Sequence, residues 1–272
     1  MILSIITINY NNVLGLKNTI ESVISQSYQS FEYIVIDGDS NDGSKEVLNR
    51  FKNKITCAIS EPDSGIYNAM NKGVKKASGD YCLFLNSGDT LADENVLEKL
   101  VRCSFTADII VGDTLLSNSS KIWKSPDSVS LLTLMKGSLS HQSSLIRRTL
   151  LLEYPYDETK KIISDWKFCI ETLVVHNKHY QKYNSVISLY DKTGISSTPA
   201  YFDIAYQERL MSLQELIPER ILMDYDKLII GETKFEKLMI RISRHKIFRN
   251  IIYYVLSGIT TCYCFILGKK QN

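Results

Sequence analysis

Four aspartates, Asp37, Asp39, Asp63 and Asp89, stand at or near the ends of short extended runs, and a fifth, Asp165, opens a helical one. Each residue type supports a distinct chemistry. Asp37 and Asp39, in Asp37-Gly38-Asp39-Ser40, suit a turn and helix cap. The same carboxylates could accept hydrogen bonds from a base or ribose. Asp63, in Glu61-Pro62-Asp63-Ser64-Gly65, follows a proline that keeps the preceding residue extended. There it can cap the next helix and face a ligand crevice as well. Asp89 sits at the lip of the turn in LFLNSGDTL (83–91). Mg²⁺ and Mn²⁺ prefer carboxylate oxygens, and Mg²⁺ typically takes one or two carboxylates plus water and substrate phosphates. One acid therefore suffices when a diphosphate supplies the other oxygens. In the same turn, Asn86 can bond a ribose and Gly88 leaves room for close backbone approach. His141, in SHQSS (140–144), is either a structural imidazole or a ligand, since imidazole also binds Mn²⁺. Asp165, in ISDW (163–166), is either a helix cap or a general base. The apolar wall of Trp166 predicts a raised pKa for it.

Those residues need elements to hold them. Residues 2–8, ILSIITI, form a continuous apolar run ended by Asn9, Tyr10, Asn11 and Asn12, as in a parallel strand covered on both faces. Helical spacing follows over 15–27, with Leu16, Ile20, Val23 and Ile24 on one face. Further strands are predicted at 31–36, 55–60 and 81–85, with helices at 45–51, 66–76 and 95–103. This alternation means βαβ units and a mainly parallel sheet, and in such sheets ligands bind at the carboxyl ends of the strands. Asn9, Asp37, Asp39, Asp63 and Asp89 all fall there. Beyond residue 105 the alternation blurs. Strand-like runs at 108–112, 145–148 and 183–190 are interleaved with helical stretches at 130–137, 164–176 and 200–217.

The 272 residues are 44% hydrophobic and 23% charged, ordinary for a globular chain, and the formal net charge of +2 gives no argument for nucleic-acid binding. The six cysteines form no CxxC pair and read as reduced core thiols of a reducing compartment. The opening MILSIITINYNN lacks the basic n-region of a signal peptide. At the other end, 237–249 mixes basic with apolar residues, 251–268 carries no charge, and Lys269-Lys270 follow. The segment 237–270 suits an anionic lipid surface, as a surface anchor rather than a span.

SIITINYNN, TIESVISQSYQSFEYIVIDGDSNDGS, EPDSGIYNAMNKG and ASGDYCLFLNSGDTL occur in this order over residues 1–100, followed by HQSSLIRR and ISDWKF to about residue 175. Together they resemble family 2 glycosyltransferases of the GT-A fold, most of all bacterial enzymes of capsule, exopolysaccharide or O-antigen synthesis. The resemblance implies an α/β fold with a Rossmann-like, mainly parallel sheet flanked by helices. The GT-A domain would cover 1–200, with a nucleotide-binding half over about 1–104 and an acceptor half over about 105–200. A helical extension would cover 201–272.

It also implies a nucleotide-sugar donor, most often UDP- or GDP-linked, a Mn²⁺ or Mg²⁺ cofactor, and inversion at the anomeric carbon. The acceptor would be a saccharide or lipid-linked saccharide, and the location the cytoplasmic face of the plasma membrane. Carried over by position, Thr7, Asn9 and Tyr10 would line the nucleotide pocket. Asp37 would face the base, Asp63 would lie beside base or ribose, and Asn86 would reach the ribose. Asp89 matches the last acid of the metal motif, where Asn86 and Gly88 replace the usual acids. His141 matches a position near metal or diphosphate, and Asp165 matches the base. Two rival readings are a nucleotide-sugar pyrophosphorylase and a non-catalytic sugar-nucleotide-binding or scaffold protein. The first normally opens on a Gly-rich basic loop, which SIITINYNN lacks.

Overall fold

Every residue of Leu3–Asn9 is buried, as the sequence of a strand paired on both edges and covered on both faces requires. This strand, β1, lies within the sheet of a computed structural model that describes residues 1–117, 120–191, 194, 198–230, 237, 238 and 241. Helix α1 (Val13–Ile24) follows, then β2 (Glu32–Asp37), α2 (Ser44–Phe51), β3 (Cys57–Ser60), α3 (Ile66–Lys76) and β4 (Tyr81–Phe84). The four strands are parallel in the spatial order β3-β2-β1-β4. Helix α1 lays Leu16, Ile20 and Val23 against the sheet, all fully buried. Each such side chain is worth roughly 1.5–3 kcal/mol relative to exposure. Helix α3 approaches β1 closely at Gly73, where a Cβ would lie 2.5 Å from Ile6 Cγ2. The register pairs Asn9 with Asp37, so these strands end side by side.

The later elements are β5 (Thr90–Leu91), α4 (Val96–Val101), β6 (Ile109–Leu116), β7 (Ile122–Trp123), α5 (Leu131–Lys136), β8 (Ser144–Arg147), α6 (Arg148–Glu153), α7 (Ser164–Cys169), β9 (Tyr180–Tyr190) and α8 (Phe202–Leu216). The complete order is β3-β2-β1-β4-β8-β6-β9-β5, with β7 paired to β6. The parallel pattern ends at β4. Strand β8 is antiparallel to both β4 and β6, while β9 is parallel to β6 and its far end pairs antiparallel with β5. That last pairing carries the end of β9 back to the turn after β4.

The expected single helix over 164–176 is α7 followed by a wider π-helical turn, Ile170–Val175. Buried Thr172 donates its hydroxyl to the Phe168 carbonyl at 2.7 Å, and a side chain bonding back in this way loosens the regular ladder. The chain divides into two compact units, Met1–Leu216 and Ile217–Asn272. The first contains every strand named above and α8. The second contains α9 (Glu219–Ile230). No helix among the described residues is long and apolar enough to cross a membrane. The predicted lipid-binding segment 237–270 lies outside the described residues apart from isolated positions.

Candidate functional site

The Asp37 carboxylate is fully buried and surrounded by donors: Asn9 Nδ2 at 2.7 Å, Ser40 Oγ at 2.6 Å, Ser60 Oγ at 2.6 Å and the Ser40 amide at 3.0 Å. Burial alone would raise its pKa, but bonds from Ser40, Ser60 and Asn9 hold it below the usual carboxylate value. The side chain predicted to face the base is therefore occupied in tying β1, β2 and β3 together. Thr7 is likewise enclosed, with its hydroxyl 3.1 Å from the Tyr33 hydroxyl. Neither Thr7 nor Asp37 lines the cavity described below. Thr7 lies two residues inside β1, and Asp37 is turned into the donors named above, whereas Asn9 at the end of β1 reaches the cavity.

The residues beside them do face outward. Tyr10 is 69% exposed. A Cβ on Gly38 would lie 2.6 Å from Asp63 Oδ2 and 3.1 Å from the Tyr10 ring. Only glycine at 38 lets these two side chains close over the backbone. Asp63 Oδ1 accepts from the Gly65 amide at 2.9 Å, so it braces the entry to α3 without being its N-cap, which is Gly65. Asp39 lies at the same lip, with φ +63° and an ion pair to Lys45.

The turn after β4 is held from α1. Thr19 Oγ1 donates to the Asp89 carbonyl at 2.7 Å and accepts from the Gly88 amide at 2.9 Å. Asn12 Nδ2 donates to the Ser87 carbonyl at 2.9 Å, and Ser87 Oγ donates to Asn9 Oδ1 at 2.7 Å. The Asp89 side chain is only 4% exposed, and the Asp191 amide donates to its Oδ1 at 3.0 Å. Burial pushes its pKa up from 3.8 to about 6, against the lowering effect of nearby His141. Gly88 has φ +111°, and its absent Cβ would lie 2.5 Å from Asp191 Oδ2. Thus two carboxylates, Asp89 and Asp191, flank the Gly88 backbone.

These are hard oxygen donors, and one is buried with few hydrogen-bond donors of its own. That chemistry fits a Mg²⁺ or Mn²⁺ ion that keeps water or phosphate in its other positions. Among the described residues no three His, Cys, Asp or Glu side chains gather as a metal cluster.

Asp165 lies in the first turn of α7. Its Oδ1 accepts from the Tyr67 hydroxyl at 3.0 Å, and its Oδ2 is 3.4 Å from His141 Nδ1. His141 Nε2 is 3.2 Å from the Asn86 amide. Burial would raise the Asp165 pKa, but His141 and Tyr67 outweigh it and the carboxyl is lowered. The expected upward shift is therefore reversed by these two partners. Trp166 lines the same cavity, and its Nε1 donates to the carbonyls of Leu134 and Gly137 at 2.8 and 3.1 Å. Burial would lower the His141 pKa, but the Asp165 carboxylate raises it. His141 thus has Asp165 on one ring nitrogen and Asn86 on the other, and it joins the turn after β4 to Asp165.

One cavity of about 1180 Å³ brings these groups together. Asn9, Tyr10, Asp63, Asn86, Asp89, His141 and Asp165, all expected site residues, line it. Tyr67, Asp191 and Arg209 line it too and were missed by the sequence reading. Arg209 Cζ stands 4.9 Å over the Trp166 ring. Tyr67 sits within the EPDSGIYNAMNKG motif, which could have signalled it. Asp191 and Arg209 come from regions without such a motif.

The model of glycosyl transferase family 2 matches residues 4–151. An uncharacterized glycosyltransferase of Mycobacterium tuberculosis is 31% identical over 209 residues, which cover 71% of this chain and 76% of that protein. A PGL/p-HBAD biosynthesis glycosyltransferase of Mycobacterium bovis is 28% identical over 174 residues, 61% of this chain and 68% of its own length. Among solved structures, Staphylococcus aureus TarS 1–349 in complex with UDP-GlcNAc superposes with a TM-score of 0.67 at 18% identity, covering 89% of this chain and 76% of that one. The mannosyltransferase PcManGT of Pyrobaculum calidifontis, in complex with GDP-Man and Mn²⁺, gives 0.60 at 13% identity, covering 79% and 64%. At these identities the structural likeness establishes the GT-A fold.

Proposed function

The chain belongs to glycosyltransferase family 2, and from that premise we propose that it moves a sugar from a UDP-linked donor to a hydroxyl of a saccharide or lipid-linked saccharide acceptor. The transfer inverts the anomeric carbon and serves cell-surface polysaccharide synthesis at the cytoplasmic face of the plasma membrane. The observation that carries this reading is the Asp89 turn and Asp165 on one cavity, joined through Asn86 and His141.

Tyr10, Gly38 and Asp63 form the lip that receives base and ribose. Asp89, with Asp191 beside it, would hold a Mn²⁺ or Mg²⁺ ion, which when bound neutralises charge on the departing diphosphate. Asp165 takes the proton of the acceptor hydroxyl as that oxygen attacks the anomeric carbon from the face opposite the leaving group. The C–O bond to the acceptor forms as the bond to the diphosphate breaks, and the diphosphate leaves with the electron pair. A lowered pKa keeps Asp165 ionised at neutral pH, as a base must be. Tyr67 and His141 fix its orientation. In this reading His141 is a positioning residue for Asp165.

A thermal-shift screen of UDP-, GDP- and dTDP-sugars with and without Mn²⁺ tests the donor assignment, since a specific ligand raises apparent stability by mass action. Asp165→Asn tests the base. Transfer should fall by about 10²–10⁴-fold with donor affinity nearly unchanged. Turnover within tenfold of the parent protein would remove Asp165 from that role.

A further inference from the structure

Helix α8 exposes both polar and apolar side chains, and among the apolar ones Phe202 and Tyr206 are 55% and 60% exposed. With Ala205 and Arg209 they follow the spacing i, i+3, i+4, i+7 that makes one helix face, and all four line the cavity that holds Asp165. The face is firmly set. Buried Glu208 accepts from the amides of Lys161 and Ile162 at 2.7 and 3.0 Å, just before α7. Lys167 Nζ bonds Glu215 at 2.9 Å, and the Arg209 guanidinium stacks on Trp166 at 4.9 Å. The same contacts that position the start of α7 therefore present two aromatic rings and a cation beside Asp165. Arg209 Nε is buried without a hydrogen-bond partner, and Lys161 lines the same cavity.

We propose that this face of α8 is the acceptor subsite, taking a pyranose ring flat on Phe202 and Tyr206 and an anionic substituent of that sugar, carboxylate or phosphate, on Arg209. The inference rests on the glycosyltransferase reading and deepens it by naming the acceptor class. The aromatic rings offer apolar faces to the C–H side of a sugar, beside the few placed polar groups that orient a ligand in such a pocket. A guanidinium is the side chain whose fork matches a carboxylate or phosphate with two parallel bonds. Asp39, Asp63, Asp89 and Asp191, which also line the cavity, belong to other segments, so an anionic acceptor group is favoured at Arg209. Arg209 also feels the charge of Asp165. The competing role, that Arg209 serves only to tune Asp165, predicts a different result.

The test uses the full chain saturated with the nucleotide selected by the thermal-shift screen. Binding of methyl glucoside, methyl glucuronide, glucose 1-phosphate and inorganic phosphate is followed by saturation-transfer NMR. One or both anionic sugars should bind at least about tenfold more tightly than methyl glucoside and than inorganic phosphate. A preference for the glucuronide identifies a uronic acid, and a preference for the phosphate identifies a phosphorylated sugar. Arg209→Gln should erase the preference. Phe202→Ala and Tyr206→Ala should weaken every sugar probe while leaving nucleotide Kd unchanged. Equal binding of neutral and anionic sugars, a preference that survives Arg209→Gln, or no binding of any sugar would overturn the proposal. So would an Arg209→Gln protein altered only in the pH profile of transfer. Failure of the parent protein to bind any nucleotide would instead overturn the underlying glycosyltransferase reading.

Discussion

The turns after β2 and β4 each carry a buried aspartate, and the two are in opposite electrostatic states. Asp37 receives bonds from Asn9, Ser40 and Ser60 side chains and from a backbone amide, and its pKa is lowered. Asp89 is nearly as buried, but its pKa is raised to about 6. The difference is one of supply. A carboxylate with its oxygens filled by protein donors is a structural anion and has little left to offer a ligand. One that burial has stripped of water without equivalent donors is destabilised as an anion, and a cation relieves it. Strand-end position alone does not separate the two.

The largest effect should come from breaking the filled site. Asp37→Ala leaves Asn9, Ser40 and Ser60 without their shared acceptor and should lower stability by about 3 kcal/mol, read by urea unfolding. The loss should be the same with or without Mn²⁺. A loss that Mn²⁺ repairs would erase the contrast between the turns.

The second effect is opposite in sign. Asp89→Asn keeps an oxygen to accept from the Asp191 amide and removes the buried charge. A rise from 3.8 to about 6 corresponds to roughly 3 kcal/mol at neutral pH, an upper bound because the surroundings relax. The metal-free variant should therefore be more stable than the parent by about 1–2 kcal/mol, while its Mn²⁺-dependent rise in Tm disappears. A variant that keeps the Mn²⁺ response would assign the ion elsewhere.

The contrast also explains how much of the molecule is legible in its sequence. The β-α alternation to residue 103 is legible because each strand is a continuous apolar run and each helix has one apolar face. All the cavity-lining residues expected from that half sit just past such runs. That Asp37 meets serines and stays outside the cavity lining is not legible, because an aspartate at a strand end reads the same whether its oxygens meet serines or a ligand. Asp191 and Arg209 escape notice for a different reason. Asp191 reaches Gly88 only because β9 pairs with β5, and Arg209 reaches Trp166 only because Glu208 pins α8 to residues 161 and 162. Both depend on contacts far apart in sequence, where no local pattern exists. The reversed shift at Asp165 has the same origin, since its partners Tyr67 and His141 lie on other segments.

Thr19 offers a narrower test of the β4 turn. Its hydroxyl serves the Gly88 amide and the Asp89 carbonyl together. Thr19→Val preserves shape and removes both bonds, so stability should fall by about 1–2 kcal/mol and Mn²⁺ should bind less tightly. An unchanged Mn²⁺ affinity would show that the turn is set without α1.

The smallest effect is a pH dependence, and its sign distinguishes the two aspartates. Asp89 has a raised folded pKa, so between about pH 4 and 6 the native state binds more protons than the unfolded chain. Metal-free stability therefore rises as pH falls through that window, by about 1 kcal/mol between pH 7 and 5. Asp37 and Asp165, with lowered values, give stability that is present above the ordinary carboxylate pKa and lost only below it, so they stay silent over this range. His141, raised by Asp165, also stabilises as pH falls, but its contribution is complete below the ordinary histidine value of 6.5. The slope from pH 6 to 5 thus belongs to Asp89 and should vanish in Asp89→Asn. With Mn²⁺ bound it should invert, because protons then compete with the ion for the same carboxylate. Chemical denaturation at pH 5, 6 and 7, with chelator and with Mn²⁺, measures both slopes. A metal-free slope that persists in Asp89→Asn would mean that the carboxylate after β4 is as well supplied as the one after β2.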